Sequence, residues 1–194
     1  MSIEVKNITK KYGNQIAVNN VSFRVNAGEI VGFLGPNGAG KSTTMKIISC
    51  FNSAHTGDVL VNGTSVQKDP LKIKKQLGYL AENNPLYEEM YVKEFLMFVA
   101  KIHQLKSPQD AVKNVIKKVG LTPEQSKKIG QLSKGYQQRV GIAQAIIHDP
   151  KVLILDEPTS GLDPLQLDEI RSLIKTLGKD KTVLLSTHIM QEVE

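Results

Sequence analysis

Residues 35–42 read Gly35-Pro36-Asn37-Gly38-Ala39-Gly40-Lys41-Ser42, between the apolar run Ile30–Leu34 and the helix-like stretch Thr43–Ile48. Glycines in this spacing let backbone N–H groups approach phosphate oxygens, and the following helix directs the positive end of its dipole at the same charge. Lys41 is expected to reach the β- and γ-phosphates, and the Ser42 hydroxyl to ligate Mg²⁺. A glycine-rich turn that only joins a strand to a helix is the alternative, but it explains neither the lysine nor the hydroxyl. The stretch 35–43 therefore predicts a phosphate-binding loop that holds a nucleotide.

Size and composition limit the classes of protein that the chain can form. With 194 residues, 40% of them hydrophobic, the chain can bury a core, and one compact domain with a helical insertion is expected. No stretch approaches the ~20 apolar residues that cross a bilayer, and the first residues lack the pattern of a secretory signal. We therefore expect a cytoplasmic protein, or one that a partner holds at a membrane.

Cysteine usage and charge narrow the classes further. The single cysteine, Cys50, excludes an internal disulfide and is expected to be a buried thiol. The formal charge of +6 comes from scattered short lysine clusters, which favour solvated faces. A basic surface for nucleic acid or anionic lipid is the alternative reading of the same charge.

The first third of the chain has the pattern of strands and hairpins. Apolar residues alternate along two segments, at Ile3, Val5 and Ile8 and then at Val21, Phe23 and Val25. Asn62-Gly63 is a strong two-residue hairpin signal, because a type I′ turn needs positive φ at both positions. An antiparallel β-layer is therefore expected beside the nucleotide core.

The middle of the chain has helical periodicity. From Val92 to Ile102 the apolar residues follow a 3.6-residue period, and Ser107-Pro108 opens a second helix that Gly120 can close. Thr122–Gln125 resembles a capping box and predicts the start of a third helix. The expected division is an antiparallel layer and first half of the core at 1–85, a helical subdomain at 86–134, and the second half of the core at 135–194.

The last third returns to an α/β pattern. Residues 151–155 form a short apolar run typical of a strand buried on both faces, and residues 182–186 predict a further central strand. Asp163-Pro164 predicts the start of a helix whose core face is given by four apolar side chains. These are Leu167, Ile170, Ile174 and Leu177.

Two acids, Asp156 and Glu157, end the buried strand at 151–155. The carboxyl ends of parallel strands are where an α/β sheet gathers ligand groups, so this pair is predicted to lie beside the phosphate loop. Asp156 is assigned to the Mg²⁺ shell and Glu157 to the water that attacks the γ-phosphate. The alternative is a pair of acids that only stabilises a helix N-terminus.

Three further segments carry a resemblance to a known family. They are Leu132-Ser-Lys-Gly-Tyr-Gln-Gln-Arg139, Asp156-Glu-Pro-Thr-Ser-Gly-Leu-Asp163 and Ser186-Thr-His188. With the phosphate loop and in this order, they resemble the signature segment, acidic strand end and switch histidine of ATP-binding cassette (ABC) transporter subunits, over nearly the whole chain. The resemblance implies an α/β P-loop NTPase core with a mainly parallel sheet, an antiparallel β subdomain and an inserted helical subdomain. It also implies further strands after Glu194, so a C-terminally truncated cassette is expected.

The resemblance implies roles for residues that would otherwise have ordinary interpretations. Two cassettes are expected to pack head to tail, so that Ser133 and Gly135 contact the γ-phosphate of ATP held by the other copy; by themselves they read as a helix cap. His188 is implied to contact the γ-phosphate and hold the attacking water, and Asp163 to connect the two sites. Tyr12 is implied to stack on adenine, although a lone tyrosine is usually core or rim.

Two positions depart from the family pattern. Glu82 stands where the family usually has glutamine; as a hard-oxygen group it is a candidate Mg²⁺ ligand, with sensor and structural roles open. The signature has Lys134 in place of a common glycine and Tyr136 in place of a common glutamine. Glu82 together with Asn84-Pro-Leu-Tyr87 resembles the branch that serves drug, lipid, polysaccharide or gliding-motility exporters.

The expected function is an Mg²⁺-dependent ATPase subunit that binds ATP, closes as a homodimer and drives a separate transmembrane permease from the inner face of the membrane. Residues 82–90 and the helical subdomain are expected to form the coupling surface, with Tyr87, Met90 and Tyr91 as anchors. No nucleic acid is expected as a partner. The alternatives are a soluble cassette ATPase that acts on nucleic acid or ribosomes, and a switch that binds ATP without turnover.

Overall fold

The computed structural model describes residues 2–188, and the elements within that range form two sheets and six α-helices. The strands are β1 Ile3–Tyr12, β2 Gln15–Val25, β3 Ile30–Leu34, β4 Thr56–Val61, β5 Thr64–Ser65, β6 Leu77–Leu80, β7 Val152–Asp156 and β8 Thr182–Thr187. The helices are α1 Lys41–Ile48, α2 Pro70–Gln76, α3 Val92–Ile102, α4 Pro108–Lys118, α5 Lys134–Ile146 and α6 Pro164–Gly178.

The first sheet is antiparallel, in the order β2-β1-β4-β5. Its β4–β5 hairpin turns at Asn62 and Gly63, whose φ angles are 49° and 77°. Both angles are positive, as a type I′ turn requires. The predicted antiparallel layer and the predicted turn are therefore confirmed.

The second sheet is parallel, in the order β3-β8-β7-β6. Every residue of β7 and β8 is buried, as expected for central strands covered on both faces. Because all four strands run in one direction, their carboxyl ends lie at the same edge. That edge brings together the segments that follow Leu34, Leu80, Asp156 and Thr187.

Successive side chains of β7 enter two different cores, as the two-residue period of a strand requires. Leu153 and Leu155 belong to a cluster that includes α3 to α6, whereas Val152 and Ile154 belong to a cluster with α1 and the antiparallel sheet. The parallel sheet is thus the middle layer of the molecule. This arrangement confirms the α/β class, with the antiparallel sheet, α1 and α2 on one side and α3 to α6 on the other.

Three local predictions about helices need correction. Thr122–Gln125 does not begin an α-helix: a 3₁₀ turn covers Thr122–Glu124, and the Gln125 amide donates to the Thr122 carbonyl. Ile102 was expected on the buried face of α3, but it is 61% exposed because it lies at the end of the helix. On α6, Leu173 is buried while Leu167 is half-buried.

Strand β6 has no clear signal in the sequence, whereas helix α2 begins at Asp69-Pro70, the same pair of cap and first-turn residues as Asp163-Pro164. The strand is four residues long and contains Gly78. A Cβ at Gly78 would meet the carbonyl oxygen of Ala145 on α5, so the glycine lets this helix lie directly against the strand. Tertiary packing, rather than strand propensity, therefore decides this element.

Within residues 2–188, none of the helices is long and apolar enough to span a bilayer. The expected truncation concerns the chain after His188, and so lies outside the described residues.

Candidate nucleotide site

The phosphate loop has the backbone geometry that its glycines predict. Gly38 and Gly40 have φ angles of 83° and 88°, and α1 begins at Lys41 directly after them. A Cβ at Gly40 would overlap the carbonyl oxygen of Ala17, so only glycine fits between the loop and β2. The first turn of α1 therefore directs its free N–H groups at the concave side of the loop, where an anion is favoured.

Lys41 turns back across the loop that precedes it. Its Nζ donates to the carbonyl oxygens of Gly35 at 2.7 Å and Pro36 at 3.2 Å. It also lies 3.3 Å from Oε1 of Glu157, and both side chains are only 6% exposed. The loop lysine and the acid at the end of β7 are therefore in direct contact, although they lie 116 positions apart in the sequence.

Asp156 is buried and is held by two hydroxyl groups. Ser42 Oγ donates to its Oδ1 at 3.0 Å, and Ser186 Oγ donates to the same oxygen at 2.6 Å. The first bond joins the start of α1 to the end of β7, and the second joins β7 to β8. The sequence had placed Ser42 and Asp156 around one metal, and the structure does bring these two side chains together.

Glu157 has a φ of 49°, in the left-handed region that non-glycine residues seldom adopt. Its backbone N–H donates to Ser186 Oγ at 2.9 Å, and its Oε2 lies 2.8 Å from Nδ1 of His188. Its Oε1 is buried and has no hydrogen bond to the described residues. One carboxylate oxygen is thus fixed by the histidine while the other remains able to accept a proton.

Ser186 is a site residue that sequence reasoning did not assign. It contacts both Asp156 and the backbone of Glu157 because β7 and β8 pair in register at Asp156 and Ser186. The available signal was a small hydroxyl residue at the end of a predicted central strand. Only the pairing of the two strands shows what that hydroxyl does.

The phosphate loop opens into a cavity of about 500 Å³. Its lining residues are Tyr12, Gln15, Ala17, Asn37, Gly38, Gly40, Lys41, Ser42, Thr43, Glu82 and Glu157. Tyr12 is 49% exposed at this cavity, and the Lys10 ammonium lies over its ring, 5.5 Å from the centroid. Its hydroxyl accepts a hydrogen bond from the Asn52 amide at 2.8 Å, which fixes the ring's edge.

The oxygen donors at the cavity suit a hard divalent cation. Among residues 2–188, no group of three or more His, Cys, Asp and Glu side chains forms a complete metal site. Mg²⁺ in phosphate sites needs no such group, because it takes one or two protein oxygens together with phosphates and water. Ser42 Oγ and Asp156 Oδ1, 3.0 Å apart, supply that donor chemistry, and Glu82 lines the same cavity.

The signature segment does not belong to this cavity. Ser133 caps α5 by accepting a hydrogen bond from the Tyr136 N–H at 3.4 Å, and Gly135 is buried. A Cβ at Gly135 would lie 2.7 Å from the Gln166 side chain on α6. The structure therefore places Gly135 against α6 and leaves Ser133 exposed, and neither residue lines the cavity.

One hydrogen bond joins the signature helix to the acidic strand end. The Gln138 amide on α5 donates to the carbonyl of Pro158 at 2.7 Å. Lys134 also lies beside Gly161, in the segment that leads from Glu157 to Asp163. Asp163 itself caps α6 by accepting from the Gln166 N–H at 2.9 Å.

A half-buried tyrosine, Tyr79, lies close behind the site. Burial raises the pKa of Tyr79, and the charges of Asp156 and Glu82 raise it further. Its hydroxyl is buried without a hydrogen-bond partner among the described residues. The phenol therefore stays neutral beneath the carboxylates.

Comparison with known proteins identifies the class and then the family. The ABC transporter family model matches residues 18–160. The uncharacterized ABC transporter ATP-binding protein YhcH of Bacillus subtilis is 39% identical, and the bacitracin transport ATP-binding protein BcrA of Bacillus licheniformis is 38% identical. Each match covers 99% of this chain, whereas the chain spans 63% of the length of each relative.

A solved structure agrees with this assignment. The dimeric ATP-binding cassette MJ0796, in a post-hydrolysis state bound to ADP and Pi, superposes with a TM-score of 0.87 at 28% identity. The match covers 98% of this chain and 90% of the other. The fold and its glycine-rich phosphate loop define the class of P-loop cassettes. The chain belongs to the ABC transporter ATP-binding family.

Proposed function

We propose that this chain binds ATP with Mg²⁺ and hydrolyses it to drive a separate membrane permease that works as an exporter. The observation that carries the proposal is the convergence of Lys41, Asp156, Glu157 and His188 at one edge of the parallel sheet. The relatives named as ATP-binding proteins of transporters support it.

In this proposal the loop residues Gly35 to Thr43 hold the phosphates through backbone N–H groups and Lys41. Tyr12 stacks on the adenine at the open side of the cavity. Ser42 and Asp156 hold Mg²⁺, with Glu82 as a further oxygen donor. The metal supplies neutralisation of charge on the phosphate oxygens.

Glu157 and His188 then act on the attacking water. Oε1 of Glu157, which makes an ion pair with Lys41 but no hydrogen bond to the described residues, accepts a proton as the water oxygen bonds to the γ-phosphorus, while the bond from that phosphorus to the bridging oxygen of ADP breaks. His188, 2.8 Å from Oε2, holds the carboxylate and faces the γ-phosphate. The products are ADP and inorganic phosphate.

A second copy of the chain completes the site. Ser133 and Gly135 lie outside the cavity formed by their own phosphate loop, so a role at a γ-phosphate requires the loop of another molecule. The dimeric state of the cassette MJ0796 supports this arrangement. Asp163, at the end of the segment between Glu157 and α6, lies where it can link the two sites.

A groove of about 520 Å³ between the core and the helical region suits the permease contact. Its exposed aromatic and aliphatic side chains are Phe51, Tyr87, Phe98 and Ile102. Of the three expected anchors, Tyr87 lines this groove, Met90 packs against the core and Tyr91 is exposed outside it. The proposed occupant is a short amphipathic helix of the permease, which would hold the chain at the inner face of the membrane.

Hydrolysis is tested by measuring phosphate release from ATP and Mg²⁺ with the chain and with Glu157→Gln. Loss of the proton acceptor is expected to lower turnover by about 10²–10⁴-fold. Glu89→Gln is the matched control, because Glu89 is 91% exposed and pairs only with Lys128. ATP binding without turnover by the unaltered chain would instead establish the switch without hydrolysis.

The partner is tested by trapping tagged Glu157→Gln with ATP and Mg²⁺ in detergent-solubilised cells and identifying what copurifies. A polytopic membrane protein is expected, and Ile102→Glu in the groove should release it. Ile16→Glu is the control, because Ile16 is similarly exposed, at 51%, but lies on β2. Recovery of only ribosomes or nucleic acid would replace the permease with the soluble alternative.

A further inference from the structure

We propose that Glu157 also determines which nucleotides bind, because it competes with nucleotide phosphate for Lys41. The inference rests on the proposed function, since it assumes that the cavity takes a nucleotide. It concerns a contact within the chain that hydrolysis does not require. Glu157 would then act twice, first as a barrier to weakly charged ligands and later on the attacking water.

Lys41 Nζ has three close oxygen neighbours. It donates to two loop carbonyls, at 2.7 and 3.2 Å, and contacts Glu157 Oε1 at 3.3 Å. Because the Lys41 side chain is only 6% exposed, a phosphate oxygen can reach Nζ only by taking the place of one of these neighbours. The carboxylate is the neighbour that carries a negative charge. A phosphate oxygen is also negative, so it can replace the carboxylate in the ion pair.

Burial makes this competition strong. Lys41 and Glu157 are each 6% exposed, so water screens their attraction weakly. Glu157 cannot easily turn away, because its backbone N–H is held by Ser186 and its Oε2 contacts His188. A ligand must therefore bring enough charge to Lys41 to outweigh the ion pair.

The contact between Glu157 and Lys41 is an ion pair without a formed hydrogen bond, since Oε1 has no hydrogen-bond partner among residues 2–188. The carboxylate is thus held by charge alone at this oxygen. Such a contact can break without leaving a lost hydrogen bond behind. It is suited to exchange with phosphate rather than to permanent structure.

The competition predicts discrimination by phosphate count. In a loop of this spacing the lysine reaches the β- and γ-phosphates, so ADP and ATP can displace Glu157. AMP leaves the ion pair in place, because its single phosphate lies at the backbone N–H groups of the loop. Removing the competition should therefore improve the binding of ADP much more than that of AMP.

The test measures AMP and ADP affinity by isothermal titration calorimetry, in EDTA so that neither metal nor turnover contributes. Glu157→Gln is expected to bind ADP about 10-fold more tightly than the unaltered chain, on the scale of close charge pairs. Its AMP affinity should change by less than about 2-fold.

Two further variants separate competition from general charge repulsion. Glu157→Asp keeps the charge but shortens the side chain, so it should also bind ADP more tightly. Glu89→Gln removes an exposed negative charge that lies outside the cavity, so its ADP affinity should stay unchanged. Thermal unfolding of each variant checks that it is folded.

Equal ADP affinity in the unaltered chain and Glu157→Gln would overturn this inference alone. Equal gains in Glu157→Gln and Glu89→Gln, with no gain in Glu157→Asp, would also overturn it in favour of general repulsion. If none of these proteins bound ADP or ATP at millimolar concentrations, the proposed function itself would fail.

Discussion

The phosphate loop and the signature segment each begin a helix, but they differ in their contacts with the rest of the chain. At the start of α1, Lys41 and Ser42 contact Glu157 and Asp156 from a distant strand. At the start of α5, Ser133 only caps its own helix, and Gly135 is covered by Gln166. The first region is an assembled site, and the second is the surface that is proposed to contact another molecule.

In the proposed function, one fold divides the reaction between two copies. Groups that hold charge before a ligand arrives are set by strand ends within the chain. The groups proposed to contact a second copy lie outside the cavity, and the bond from Gln138 to Pro158 joins their helix to the first set.

The largest effect is expected from Lys41→Met, which removes the cation but keeps much of the side-chain volume. Turnover should fall by about 10³-fold, as for loss of a central charge-stabilising donor. ADP binding should weaken as well, because the assembled region would lose the cation that binds phosphate. Phosphate release and ADP titration measure both effects. A variant that lost turnover but bound ADP normally would show that Lys41 does not contact the β-phosphate.

Ser133→Asp should separate the two regions. Aspartate caps a helix as well as serine does, so α5 should remain folded. Its charge would repel the γ-phosphate of the second copy, and turnover should fall by about 10²-fold while ADP binding stays normal. Ser133→Asn is the uncharged control with the same capping ability. Equal turnover in the Asp and Asn variants would contradict the assignment of Ser133 to a shared site.

Tyr12→Leu tests the open side of the assembled region. Loss of base stacking should weaken ATP binding by about 10-fold. Pyrophosphate binding should be unaffected, because it has no base. Titration of both ligands checks the result, and an equal loss for both would mean that Tyr12 supports the loop rather than the adenine.

The smallest effect concerns the joint between the helical region and the core. His103, which follows α3, stacks on His148 with the ring centroids 3.9 Å apart. Burial, together with the charge of the nearby His103, lowers the pKa of His148 from 6.5 to about 4. Between these two values the unfolded chain binds more protons than the folded chain, so stability falls as the pH drops from 6.5 towards 4.

His148→Gln should remove that pH dependence. Denaturant unfolding at pH 7 and pH 5 should show that the unaltered chain loses about 1 kcal/mol more stability than the variant, after allowance for solvent at the half-buried ring. His55→Gln, at an exposed histidine beside β1, should behave like the unaltered chain. If His148→Gln showed the same pH dependence of stability as the unaltered chain, His148 would not be its cause.

Much of the fold follows from local patterns. The alternating residues of β1 and β2, the Asn62-Gly63 turn and the buried runs at β7 and β8 are all formed as predicted. Weak or short sequence signals did not predict the local structure correctly. β6 depends on contact with α5, and Thr122–Gln125 has the residues of a capping box but ends after a single 3₁₀ turn.

By itself the sequence determined the phosphate loop, the α/β class and the two acids, because each depends on residue types at short spacing. Only the tertiary structure decided that Lys41 contacts Glu157, that Ser186 holds both acids, and that Gly135 faces Gln166. The physical reason is strand order. Placing β8 between β3 and β7 brings residues far apart in sequence to one edge, and local spacing carries no record of that order.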